Sequence, residues 1–93
     1  MTDPRARFNE LRDRFLIRCL EDRDTIARAQ EGYTQPEILR FAVHRLAGAA
    51  GTFGFPDLSR VAAEIDDLLV EGKPVPDADF ERLLNAIDAV LVH

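Results

Sequence analysis

The chain contains little that would anchor or staple a protein from outside its core. A single cysteine, Cys19, stands among 93 residues. That excludes an internal disulfide and a multi-cysteine metal site, and it suits a reducing compartment. No apolar run approaches the ~20 residues needed to span a bilayer, and the arginine-rich, acid-containing start is no signal peptide. Strand-like alternation, internal repeats and low-complexity tracts are all missing. The two histidines, His44 and His93, lie far apart, and the acids are scattered, so no metal-ligand spacing arises and no cofactor is expected. His93 reads as a frayed tail. These absences predict a cytoplasmic protein without a membrane partner. Met1 and the compact set of elements predict a free-standing chain.

What is present fits one globular domain over residues 1–93. Hydrophobic content is 46% and charged content 31%, enough for a modest core without staples. The net charge of −5 argues against nucleic acid as a partner. The charge is uneven: residues 1–30 carry seven arginines and six acids, whereas residues 51–93 carry three bases and nine acids. Arg5, Arg7, Arg12, Arg14 and Arg18 read as a solvated face, or as a contact for an acidic partner surface.

Four segments have helical period. The first opens at Asp3-Pro4, a cap residue followed by proline in the first turn, and ends near Glu31-Gly32. Phe8, Leu11, Phe15, Cys19 and Ile26 share its apolar stripe, widened by Leu16 and Leu20, which makes Cys19 a buried structural thiol. The second opens at Thr34, with Pro36 and then Glu37 completing a capping-box pattern, and stops at Gly54. Its seam is Leu39, Val43, Leu46, Ala50 and Phe53. The third begins around Phe55-Pro56-Asp57, buries Leu58, Val61, Ala62, Ile65, Leu68 and Leu69, and closes at Gly72 with Pro74. The fourth begins at Asp77 and buries Phe80, Leu83, Leu84, Ile87, Val90 and Leu91. Short links between helices favour antiparallel neighbours. The expected fold is all-α: an antiparallel up-down-up-down four-helix bundle with a long first helix.

The second helix carries the unusual chemistry. Each residue advances ~100°, which puts His44 roughly 140° from the centre of the seam, on the outer face. Gly48 lies one turn beyond it and Gly51 the next, with Ala47 at the border. Arg40 lies one turn before it, near Glu37 and Phe41. Glycine inside a helix costs ~1 kcal/mol relative to alanine, so two beside an exposed imidazole suggest cleared space for a large partner. The competing explanation for the glycines is close helix packing, which their distance from the seam disfavours. A neutral imidazole keeps a lone pair that can attack phosphorus and carry it covalently. Phosphoryl transfer asks for in-line approach and charge stabilisation, which a donor with its own carboxylate and metal largely brings.

The run His44-Arg45-Leu46-Ala47-Gly48-Ala49-Ala50-Gly51-Thr52-Phe53-Gly54 resembles the signature of histidine phosphotransfer (HPt) domains of multistep two-component phosphorelays. Leu58, Ala62 and Ile65-Asp66 continue in that family's register, and Phe15-Leu16 resembles its first-helix pattern, so the resemblance spans nearly the whole chain. It implies a four-helix bundle in which His44 accepts a phosphoryl group from a receiver-domain aspartate and passes it to another receiver. The implied partners are response-regulator receiver domains or a hybrid histidine kinase, and the implied state is a monomeric phosphoprotein. The implied docking surface is Gly48, Gly51, Ala47 and Phe41. One departure stands out. The family carries Lys or Arg three residues after the histidine, and here that residue is Ala47. Arg40 and Arg45 are the candidate replacements, Arg40 better placed around the helix. Asp66 stands where some relatives place a polar residue that touches the ring. It is open at this point as an imidazole support or a solvated acid.

Two other functions are compatible with parts of this pattern. A non-catalytic adaptor that binds a receiver or kinase without carrying phosphate would explain the missing cation. The dimerisation helix pair of a sensor kinase fits poorly, because Arg45 rather than an acid follows the histidine and no proline appears before Pro56. A glycine-rich nucleotide loop is also missing, so the chain is not expected to phosphorylate itself from ATP. Asp66-Asp67 are adjacent and point different ways on a helix, which makes them a weak acid-base pair.

Overall fold

A computed structural model of the chain describes residues 3–92, so the reading of His93 as a frayed tail lies outside the described residues. Four helices follow one another: α1 (Pro4–Gln30), α2 (Pro36–Thr52), α3 (Pro56–Val70) and α4 (Asp77–Leu91). Proline sits at the first helical positions of α1, α2 and α3, where its missing N–H would have had no helical partner. The Asp3 side chain accepts from the Arg5 N–H at 3.0 Å and caps α1 as its sequence predicts. The second helix departs from expectation. Its cap is Gln35, with no side-chain cap hydrogen bond. The Thr34 hydroxyl instead donates to the Thr25 carbonyl at 3.4 Å, tying the linker to α1 rather than forming a capping box with Glu37.

The turn from α2 to α3 fixes the orientation of the histidine helix. Gly54 takes a φ of +86°, and the Phe55 N–H reaches back to the Ala50 carbonyl at 2.8 Å. That is the hydrogen bond of a glycine-closed helix end, and only glycine enters this backbone region without strain. Equivalent bonds close α1 (Tyr33 N–H to Arg28) and α3 (Lys73 N–H to Leu68).

Each helix packs against two others, α1 on α2, α2 on α3, α3 on α4 and α4 on α1, so the chain is a four-helix bundle with its helices in sequential order around the core. The predicted seams of α2, α3 and α4 supply most of that core: Leu39, Val43, Leu46, Ala50, Leu58, Val61, Ala62, Ile65, Phe80, Leu83, Leu84, Ile87 and Val90 are buried. Cys19 is buried too, and burial followed by the charge of Asp22 pushes its thiol up to about 11, which makes it inert as a nucleophile near neutral pH. Phe53, Leu68, Leu69 and Leu91 are only half-buried. Three α1 residues assigned to the core stripe, Phe8, Leu11 and Leu20, are exposed. The 27 residues of α1 run ~40 Å, against ~25 Å for its 15- to 17-residue partners, so Phe8 and Leu11 near its start have less to pack against, whereas Leu20, next to buried Cys19, lies off the buried stripe. Phe8 still meets the Phe53 ring, which also stacks on Phe15. No helix among the described residues is long and apolar enough to cross a membrane.

Candidate functional site

His44 stands in the middle of α2 with its side chain 77% exposed. The apolar seam turns Val43 and Leu46 inward, and that rotation leaves the histidine on the outside. Its ring is not free to spin. Asp66, from the antiparallel α3, places Oδ2 2.9 Å from the His44 Nδ1. The Asp66 side chain is only 15% exposed, so the carboxylate is held under the ring rather than loose in solvent. Of the two readings of Asp66 left by the sequence, the contact is the one that an imidazole support requires.

The contact also fixes the histidine's tautomer. An ionised carboxylate can only accept hydrogen bonds, so Nδ1 carries the proton and donates it. In the neutral ring, Nε2 then holds the lone pair. It lies across the ring from α3, on the exposed side.

The two candidate cations part company. Arg40 is exposed and lines a shallow groove with Glu37, Phe41 and His44. Arg45 does not serve the histidine. Its Nη2 donates to the Asp22 Oδ1 at 2.5 Å, and its guanidinium stacks over the Phe41 ring at 5.1 Å. Asp22 lies on α1, so the side chain of Arg45 leans toward α1 while His44 leans toward α3. The expectation that Arg45 supports the phosphate is therefore corrected: it neutralises a carboxylate that is 2% exposed. Sequence reasoning missed Asp22. The signal was present, because Phe15, Cys19, Asp22 and Ile26 share one helical stripe, with an acid at a core position.

The two glycines also differ. A Cβ at Gly48 would meet nothing within 4 Å. A Cβ at Gly51 would meet the Ser59 Oγ of α3 at 3.2 Å. That hydroxyl donates to the Ala47 carbonyl at 2.7 Å and so is held in place. Gly51 thus permits close approach of α3, the packing role that its distance from the seam argued against, while the residue itself stays exposed. Ala47 is half-buried against the core. Open beside His44 are Gly48, where an added side chain meets nothing, and Phe41, which is 66% exposed. We expect Gly48→Ala to raise stability by ~0.5–1 kcal/mol, because an open helical position gains propensity without a clash. Gly51→Ala should fall short of that gain. Thermal unfolding of the two variants, with a difference of a few degrees, checks the distinction.

Among the described residues no cluster of His, Cys, Asp and Glu is placed to hold a metal ion. The site is a single nucleophile with a carboxylate behind it, a cation one turn away and open surface beside it. It suits covalent carriage of a group brought by another protein.

No curated protein matches the chain, and no solved structure matches it. A protein-family model described as the Hpt domain matches residues 10–93, so this four-helix bundle belongs to the Hpt domain family.

Proposed function

We propose that the chain is a phosphorelay carrier that accepts a phosphoryl group on His44 from the aspartyl phosphate of a receiver domain and passes it to another receiver. The observation that carries this reading is the His44–Asp66 pair, which leaves Nε2 as the solvent-facing nucleophile on the helix that bears the family's signature. In the transfer the Nε2 lone pair attacks phosphorus as the acyl phosphate O–P bond breaks, and the bonding pair leaves with the receiver's carboxylate. The ring becomes a cation at that moment, and the Asp66 carboxylate faces its Nδ1–H. Arg40 is the nearest cation for the phosphoryl oxygens, since Ala47 has none to offer and Arg45 is held by Asp22. The receiver supplies the remaining charge stabilisation. The chain acts as a phosphocarrier rather than an enzyme in the ordinary sense.

Incubation with a receiver carrying radiolabelled aspartyl phosphate tests the proposal. The chain should acquire a phosphate that acid removes and alkali spares. A chain that never takes label overturns it. Gly48→Gln should slow this transfer by at least about tenfold while the bundle stays folded, because the added side chain stands where the receiver must approach. Unchanged transfer would remove Gly48 from the docking surface.

The second reading, a receiver- or kinase-binding adaptor, is favoured by Ala47 alone. Binding that survives His44→Ala, with no phosphate on the wild-type chain, would establish it.

A further inference from the structure

Asp66 is more than a clamp on the ring. Its Oδ2 meets the His44 Nδ1, and its Oδ1 is buried with no hydrogen-bond partner. No arginine or lysine among the described residues pairs with it. Its negative charge therefore falls on the imidazole. On α2, Glu37 and Arg40 share a groove with the ring and Arg45 is turned to Asp22; on α3, Asp66 is the charged side chain in contact with it.

We propose that Asp66 makes His44 a fast-discharging carrier, by keeping the Nδ1 proton on the ring throughout the phosphorylated state. This rests on the carrier reading above and deepens it. Discharge breaks the Nε2–P bond, returns the bonding pair to Nε2, and moves the phosphoryl group to an acceptor oxygen, of a second receiver's carboxylate or of water. If Nδ1 is protonated, the ring departs as neutral imidazole and no proton has to move. If Nδ1 has lost its proton, the ring must depart as an anion, a far poorer leaving group. A histidine ring left to solvent holds its second proton only near and below pH ~6.5. Here the Asp66 Oδ2 stands 2.9 Å from Nδ1, an acceptor that gives the Nδ1 proton a fixed partner. Asp66 acts through His44, so it is a positioning residue. The missing cation at Ala47 works in the same direction, since nothing there grips the phosphoryl group.

The test charges wild type and Asp66→Asn with phosphoramidate, a small donor that needs no receiver docking, and follows the loss of phosphohistidine from pH 5.5 to 8.5. Asparagine keeps the size and an oxygen that accepts the Nδ1–H, but not the charge. At pH 8 the variant should lose phosphate at least about tenfold more slowly than wild type, and the two should converge below pH ~6, where solvent protonates both rings. A purely structural role for Asp66 would shift all pH values alike. Equal lifetimes across the range overturn the proposal while leaving the carrier reading intact. Label from a charged receiver that persists in His44→Gln overturns the carrier reading, and this proposal with it. Nitrogen-15 NMR of the uncharged wild type is a second check that needs no phosphorylation of the variant. A proton on Nδ1 of His44 supports the proposal, and a proton on Nε2 contradicts it.

Discussion

His44→Gln is expected to abolish phosphoryl uptake from a charged receiver, by at least about a thousandfold, while the bundle unfolds at nearly the wild-type midpoint. Glutamine offers no lone pair of comparable nucleophilicity, and no other side chain near the site replaces it. Cys19, the other nucleophile of note, is buried in the core with its thiol pushed far from reactivity. The fold should tolerate the change because the His44 ring is mostly solvent-exposed and supplies no core area. Label transfer to purified wild type and variant, with circular dichroism on both, measures the two halves of this expectation. Retained label in the variant would move the phosphate to another residue.

The second large effect concerns stability. Arg45→Met should destabilise the bundle by ~3 kcal/mol near neutral pH, because it leaves the Asp22 carboxylate buried without its hydrogen-bonded cation and with only the more distant charge of Arg18. Asp22 sits in the stripe formed by Phe15, Cys19 and Ile26, and only its Oδ1 is hydrogen-bonded. Burial pushes its carboxyl above the usual range, against the opposing charge and hydrogen bond of Arg45. The sign of the pH dependence follows. A carboxyl raised in the folded state binds its proton more readily there than in the unfolded chain, so its cost grows as pH rises through the folded value. The deficit of Arg45→Met should therefore be smaller at acid pH than at neutral pH. Urea unfolding of variant and wild type under both conditions measures it. Adding Asp22→Leu should restore most of the loss at pH 7, since an apolar residue fits the stripe that the acid interrupts. A deficit independent of pH would assign the effect to lost packing on Phe41.

The helix boundaries were legible in the sequence because proline and glycine act locally. Pro4, Pro36 and Pro56 mark first turns, and Gly54 and Gly72 mark ends whatever the helices pack against. The exposure of His44 was legible for a similar reason, as one seam on one helix fixes which side faces out. Properties that depend on how two helices meet were not. The acid at Asp22 was visible as a gap in the α1 stripe, but its partner on α2 follows only from the rotation of both helices. Gly48 and Gly51 look alike on a helical wheel. Ser59, 12 residues from Ala47, separates them, and nothing in the α2 sequence announces it. Asp66 lay in register with the histidine, and the antiparallel placement of α3 turned one of its two open roles into a contact. Leu20 was assigned to the core by period alone, yet no neighbouring helix covers it.

In the proposed carrier, phosphate resides on Nε2 of His44 while Nδ1 faces Asp66. Phosphorus-31 and nitrogen-15 NMR of the receiver-charged, nitrogen-15-labelled protein tests this most directly. The spectra should show a phosphorus–nitrogen coupling to the His44 Nε2, with a proton retained on Nδ1. Phosphorus coupled to Nδ1, or bonded to a carboxylate oxygen, would contradict it.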